Sequence, residues 1–154
     1  MRLLNLKNFW LIAPTNSRFF ILLPVLYTLF IQILTGFPRS ETLREISASE
    51  LFISFSEELF DYPFWLQDLS HFPLFFGFSW AWAWYLRRAD RDRFTLLLTI
   101  ALASGYAILN ELTQIYIPQR FPSLGDIVTN LLGVTSAISI HTFVLNRCSI
   151  NRKQ

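Results

Sequence analysis

The sequence predicts an all-α membrane helical bundle, and three observations lead to that prediction. Of the 154 residues, 53% are hydrophobic and only 16% are charged, which is too apolar for an ordinary soluble domain of this length. Apolar stretches of about 18 residues recur along the chain, and a helix of that length spans a bilayer core. Lysine and arginine are also distributed unevenly between the segments that connect these stretches.

Four transmembrane helices are predicted within a single membrane domain that covers residues 1–154. Ten of the 13 lysines and arginines lie in the N-terminal segment, in the loop after the second span and in the C-terminal tail. Because basic residues remain on the cytoplasmic side, this bias predicts that both termini are cytoplasmic. The predicted spans are at about residues 19–36, 69–86, 94–112 and 126–145.

Residues 37–67, which connect the first two spans, are predicted to form one or two short interfacial helices. They contain six acidic and two basic residues among interleaved apolar ones. Phe52, Phe55 and Leu59 have helical spacing, although an alternating pattern typical of a strand competes over the same segment. Ser47 to Glu50 matches a capping box, which favours a helix beginning there.

Charge and cysteine content exclude several other classes of protein. The formal net charge of +2 gives no indication of nucleic-acid binding, so membrane lipids are the expected partners. Cys148 is the only cysteine, which excludes an internal disulfide and a cysteine-based zinc site. Residues 1–18 lack a small-residue cleavage pattern, so we interpret them as a retained interfacial segment. Nothing in the sequence indicates an oligomeric state.

Seven polar residues lie at the predicted helix ends among apolar neighbours, where an ionisable group needs a functional or structural reason. With four spans, these ends share the rim that faces away from the cytoplasm. Residues 111 and 114 are three apart, and residues 126 and 130 are four apart, so each pair shares one helix face. The seven residues are Asp68, His71, Glu111, Gln114, Arg120, Asp126 and Asn130.

The order of these residues resembles the VanZ-like family of small integral membrane proteins. The resemblance covers about residues 67–133. It is carried by ELTQ at 111–114, IPQR at 117–120, SLGD at 123–126 and NLLG at 130–133, preceded by Asp68 and His71.

The resemblance implies a multi-pass protein of the bacterial cytoplasmic membrane that acts in the cell envelope. The founding member of the family is linked to teicoplanin resistance, so a role in glycopeptide resistance or envelope homeostasis is implied. One departure affects the site. Family members often have an aspartate followed by lysine before the histidine, whereas Gln67 and Asp68 occupy that place here and the lysine is missing.

Two functional interpretations follow from the polar rim. In the first, it binds an amphipathic, lipid-linked or cell-wall-related molecule, and Arg120 receives an anionic headgroup together with the N-terminus of the fourth span. Because the carboxylates give the rim an acidic balance, hydroxyl, amide or amino groups would also suit it. In the second, the protein is an enzyme with His71 or Glu111 as general base and Asp126 orienting a partner. The sequence contains no GxSxG, HExxH or phosphate-loop motif.

A third interpretation is a divalent metal site. Its ligands would be Asp68, His71, Glu111 and Asp126, which are suitable residue types. Their spacing corresponds to no recognised metal motif, so the sequence alone predicts neither a metal nor another cofactor.

A purely structural or accessory role is the remaining interpretation. Glu111 and Arg120 would then form an ion pair that holds the outer loop to the bundle. Asp126 would cap the fourth span, and Asn130 would make an interhelical hydrogen bond.

Overall fold

The computed structural model describes residues 11–14, 18–87 and 92–150, with only the backbone described at 148–150. Every regular element in these ranges is helical, which confirms the predicted all-α class. The six α-helices of the described ranges are α1 Leu22–Gly36, α2 Ser40–Glu45, α3 Glu50–Phe60, α4 Phe64–Leu86, α5 Arg93–Gln114 and α6 Leu124–Ile150. A 3₁₀ turn at Arg18–Ile21 leads directly into α1.

Within the described ranges, three helices, not the predicted four, are long and apolar enough to cross a membrane. They cover Arg18–Gly36, Arg93–Gln114 and Leu124–Arg147. The span predicted at residues 69–86 lies in α4, whose 23 residues would extend about 34 Å. The hydropathy of α4 is low because its four tryptophans and one tyrosine score as weakly polar and because Gln67, Asp68, Ser70 and His71 lie in its first two turns.

Helix α4 is the central helix of the described fold, because it packs against α1, α5 and most extensively α6. A Cβ atom at Gly133 of α6 would lie 2.5 Å from the Phe72 carbonyl oxygen and 3.0 Å from the Phe76 nitrogen of α4. The two backbones therefore approach so closely that only glycine fits at their contact. Such small-residue contacts are typical of packed membrane helices.

The core lies between these helices, while the outer faces are apolar and exposed. Phe78 of α4 stacks on Tyr106 of α5, with ring centroids 4.7 Å apart. The Tyr106 hydroxyl donates to Gln32 Oε1 of α1 at 3.2 Å, which joins α5 to α1. Leu26 and Ile33 are more than half exposed on the other side of α1, as expected for contact with lipid.

The segment between α1 and α4 forms two short helices, α2 and α3, as predicted. The predicted capping box was wrong, because Ser47 ends α2 instead of beginning α3. Ser47 has a φ of 55°, its N–H donates to the Arg44 carbonyl, and the Ala48 N–H donates to the Leu43 carbonyl at 2.9 Å. This is the hydrogen-bond pattern of a Schellman motif, and α3 then begins at Glu50 without a side-chain cap.

Some sequence predictions concern residues outside the described ranges. They include most of the interfacial segment at residues 1–18, part of the arginine-rich loop and the Cys148 side chain. Of the first segment, residues 11–14 and 18 are described. The Ala13 N–H donates to the Trp84 carbonyl, and the Leu11 carbonyl contacts His141 Nε2 at 2.8 Å.

Candidate functional site

Three helices meet in a buried hydrogen-bonded cluster. His71 of α4 contacts Asn130 Oδ1 of α6 through Nδ1 at 2.9 Å, and Asn130 Nδ2 donates to Glu111 Oε1 of α5 at 3.2 Å. The His71 Nδ1 atom also lies 3.6 Å from Glu111 Oε1. Asn130 and Glu111 are fully buried, and the His71 side chain is 12% exposed.

The direction of these hydrogen bonds assigns the tautomer of His71. Because Asn130 donates to Glu111 through Nδ2, its Oδ1 is the acceptor toward His71. His71 Nδ1 therefore carries a hydrogen and donates it. In the neutral ring, Nε2 then keeps its lone pair and can accept a proton or bind a metal.

Asp126 joins this cluster from the first turn of α6. Its position follows from Ser123, whose Oγ accepts from the backbone N–H groups of Gly125 at 3.1 Å and Asp126 at 3.4 Å. Ser123 therefore caps the helix, and the interpretation of Asp126 as the capping residue was wrong. The Asp126 carboxylate is free to interact electrostatically with His71, Asp68 and other groups of the site.

Two buried carboxylate oxygens in the cluster have no hydrogen-bond partner among the described residues. They are Glu111 Oε2 and Asp126 Oδ1. The Ser123 N–H approaches the Glu111 carboxylate but does not reach hydrogen-bond geometry. A buried charged oxygen without a partner is unfavourable by at least about 1–3 kcal/mol. The site therefore has unused capacity to accept a donor or a cation.

Arg120 makes a different contact from the predicted ion pair with Glu111. Its Nη2 donates to the Thr35 carbonyl of α1 at 2.9 Å, and its guanidinium lies over the Phe60 ring at 4.6 Å from the centroid. Neither Glu111 nor Asp126 forms a salt bridge with it in the described part of the chain. The ion-pair interpretation was wrong, because Arg120 is held by the carboxyl end of α1.

Arg120 lies outside the spans in a partly dry environment. Burial lowers its pKa, and the neighbouring Arg39 lowers the pKa further, while Glu111 and Asp126 act in the opposite direction. An arginine pKa is so far above neutrality that the guanidinium stays charged. The side chain therefore places a permanent positive charge next to the carboxylates.

A polar cleft of about 290 Å³ opens above the cluster. Five of the seven predicted residues line it, whereas Glu111 and Asn130 lie beneath them behind His71. Arg39 also lines the cleft and was missed, because nothing in its local sequence distinguishes it from an ordinary surface cation. The five are Asp68, His71, Gln114, Arg120 and Asp126.

Asn110 is a second residue that the sequence analysis missed. It is fully buried, and its Oδ1 accepts from Thr35 Oγ1 at 2.8 Å. This bond joins α5 to the same residue of α1 whose carbonyl holds Arg120. A buried asparagine directly before Glu111 in an apolar helix was the signal that could have identified it.

Two apolar grooves continue from the cleft along α1 and α4. The first, of about 460 Å³, shares residues with the cleft that include Leu34, Leu59 and Leu74. The second, of about 560 Å³, shares Tyr27 with the first and extends to Trp84. The three spaces are therefore neighbours, and their lining changes from the charged cleft to an almost entirely apolar groove.

The cluster also contains a possible set of metal ligands. His71, Glu111 and Asp126 each offer one ligand atom, and these atoms lie within 4.8 Å of one another. Asp68, which the sequence suggested as a fourth ligand, is not part of this set and has an exposed side chain.

Comparison with protein families identifies one match. The model of the family described as VanZ/LLP1 matches residues 19–145, which is most of the chain and includes every residue of the cleft. This confirms the resemblance predicted from the sequence. No curated protein and no solved structure matches. Together with the three apolar helices, the match identifies a multi-pass membrane protein.

Proposed function

The chain belongs to the VanZ/LLP1 family, and we propose that it binds an amphipathic molecule of the cell envelope, with the polar head in the cleft and the apolar tail along α4. The observation that carries this proposal is that the cleft and the two apolar grooves are neighbours with shared lining residues. Residues at each junction line both neighbouring spaces, namely Leu34, Leu59 and Leu74 at the first and Tyr27 at the second.

The dimensions of the path fit such a molecule. His71 in the cleft and Trp84 at the far end of the second groove are 13 residues apart on α4, or about 20 Å. Half of a bilayer core is about 15 Å thick. A tail that follows α4 would therefore extend through about one leaflet while its head remains near the surface.

The charges of the cleft indicate which head groups it favours. Arg39 and Arg120 provide two guanidinium groups, which suit a phosphate or a carboxylate. Asp68 and Asp126 face the same space and suit hydroxyl, amide or amino groups. A head group with both an anionic group and hydroxyl or amino groups matches this lining, and lipid-linked cell-wall molecules are of that class. Binding of such a molecule is how the protein would contribute to glycopeptide resistance.

The proposed orientation places the cleft on the outer side of the cytoplasmic membrane. It requires α4 to cross as a fourth helix, which its length of about 34 Å allows. Exposed aromatic residues at its first turn, Phe64 and Trp65, suit a membrane interface. The excess of basic residues in the connections on the opposite side supports the same orientation.

Native mass spectrometry of the gently solubilised chain tests the binding proposal. The wild type should carry an additional mass, whereas Gly77→Leu should lose it. A Cβ at Gly77 would collide with the Tyr27 hydroxyl and push that ring into the junction of the two grooves. Gly105→Leu is the matched control, because a Cβ there meets nothing within 4 Å.

The outcomes of this experiment separate binding from structural effects. The wild type and Gly105→Leu should carry the mass, and all three proteins should elute as folded species. A wild type without additional mass, or equal occupancy in Gly77→Leu, would refute the proposed tail groove. Arg120→Gln, compared with the exposed Arg44→Gln, tests the head-group end in the same way.

A second candidate function is acid–base catalysis on the same molecule. It is favoured by the hydrogen bonds that fix His71 Nδ1 as a donor and leave Nε2 able to accept a proton. Glu111 would orient the imidazole and stabilise its protonated form. Conversion of the co-purifying molecule by the wild type and not by His71→Gln would support this function.

A further inference from the structure

Two carboxylates that each have an unpaired buried oxygen lie beside the imidazole of His71. Glu111 is fully buried and Asp126 is 9% exposed, and each has one oxygen without a hydrogen-bond partner in the described ranges. Ligand atoms of these two residues and of His71 lie within 4.8 Å of one another. Two carboxylates held this close repel each other unless a proton or a cation lies between them.

We propose that His71, Glu111 and Asp126 bind one divalent transition-metal ion at the floor of the cleft. One imidazole and two carboxylates form a nitrogen and oxygen donor set that suits Mn²⁺ or Zn²⁺. Two ligand atoms that each lie about 2.1 Å from one ion are at most about 4.2 Å apart. The three side chains would therefore approach one another by less than about 1 Å on binding.

The hydrogen bonds around the cluster match those that surround metal-binding histidines. A histidine that binds a metal commonly donates its other ring N–H to an oxygen acceptor, which fixes the ring orientation. Here His71 Nδ1 donates to Asn130 Oδ1 at 2.9 Å, so Nε2 keeps the lone pair that an ion would need. Asn130 also donates to Glu111 Oε1 at 3.2 Å and thereby orients a second ligand.

The charge balance of the cleft supports the same conclusion. Glu111 and Asp126 would supply two negative charges, which one divalent ion neutralises. Arg39 and Arg120 line the outer part of the cleft, and Arg120 is held away from the carboxylates by Thr35 and Phe60. The ion would bind at the floor, and its remaining coordination positions would face the space between it and the guanidinium groups.

The metal also explains how an acidic cluster can receive an anionic head group. This part of the inference rests on the proposed binding function, because it assigns the head group a phosphate or carboxylate that bridges the ion and the two arginines. Three of these ligands were among the four that the sequence suggested for a divalent metal, although their spacing matches no metal motif because residues 71, 111 and 126 come from three different helices.

Metal binding can be measured directly on the full-length chain. The purified protein is stripped with EDTA, dialysed and titrated with Mn²⁺, and bound ion is followed by electron paramagnetic resonance and elemental analysis. We expect one ion per wild-type chain and at least tenfold weaker binding in Glu111→Gln and Asp126→Asn. Glu45→Gln, which changes an exposed carboxylate on α2, should bind within about twofold of the wild type.

Each result decides the proposal. Stoichiometric binding that is lost in either cluster variant supports it, and the use of two variants covers the case in which one fails to fold. Absence of binding to the wild type, or equal binding by folded Asp126→Asn, overturns it. An ion that binds while native mass spectrometry shows no amphipathic ligand would refute only the proposed function and leave the metal site intact.

Discussion

Gly133 of α6 lies directly against the Phe72 carbonyl of α4, and a Cβ atom there would be 2.5 Å from that oxygen. The neighbouring atom belongs to the backbone and cannot rotate away. Asn130, which binds His71 of α4, is one turn earlier on the same helix. The contact between the two helices therefore sets the distance across which the cluster forms.

Gly133→Ala should separate α4 from α6 and weaken the fold. Overpacking of a close contact typically destabilises a protein by about 1–3 kcal/mol. Denaturant titration of the variant in mild detergent should show this loss, together with weaker metal binding. Gly105→Ala is the control, because its added Cβ meets nothing within 4 Å, and an equal loss in both variants would contradict the argument.

Asn130→Ala should destabilise the cluster in addition to impairing function. The substitution leaves His71 Nδ1 and Glu111 Oε1 without their Asn130 partner in a buried site. The expected decrease in the free energy of unfolding is about 1–3 kcal/mol. Thermal or denaturant unfolding of the purified variant measures it, with Thr135→Ala at an exposed position of the same helix as control. An unchanged stability would show that these hydrogen bonds contribute little.

Arg120→Lys should make binding of an anionic ligand sensitive to high pH. Burial and Arg39 lower the pKa of Arg120, yet a guanidinium stays charged across the accessible range. The same environment would lower the pKa of a lysine ammonium, which begins from a lower value, so the variant loses its charge as pH rises. The fraction of chains that retain the co-purifying mass should therefore be lower at pH 9 than at pH 6.5 in the variant, and equal at the two pH values in the wild type. Equal retention at both values would show that this charge does not hold the ligand.

Thiol labelling can determine whether α4 crosses the membrane. Cys148 is the only cysteine, so Cys148→Ser gives a background without cysteine. In intact cells an impermeant reagent should label Glu45→Cys, before α4, whereas Arg93→Cys, after α4, should react only after permeabilisation. If α4 did not cross, both positions would lie on the same side of the membrane and would react alike.

The sequence predicted the helical class, and it predicted that His71, Glu111 and Asn130 lie at the same end of the bundle. Polar residues at the ends of apolar stretches can be recognised without knowledge of the tertiary structure. The prediction failed where a contact depends on how separate helices pack. An ion pair between Arg120 and Glu111 was one interpretation, but Arg120 donates instead to the Thr35 carbonyl at the end of α1. The hydrogen-bond role of Asn110 also depends on a partner in another helix.

Two further predictions, the capping box at Ser47 and the span in α4, differ from the structure for local reasons. Ser47 matched a capping box for α3, but the same residue completes the C-terminal motif of α2, and one residue cannot serve both ends. Helix α4 was predicted as a span from its apolar content, but that content is largely aromatic and its first turns are polar. In the structure α4 packs against three other helices.

The attachment of Arg120 also determines how the cleft can open. Its guanidinium joins the loop after α5 to the Thr35 carbonyl of α1 and to the Phe60 ring at the end of α3. The loop cannot swing outward without breaking a charged hydrogen bond and a cation–π contact at once. Arg120 therefore fixes the loop to α1 and α3. A molecule could enter the cleft laterally from the bilayer with these contacts intact, whereas entry from above requires the loop and α3 to move together.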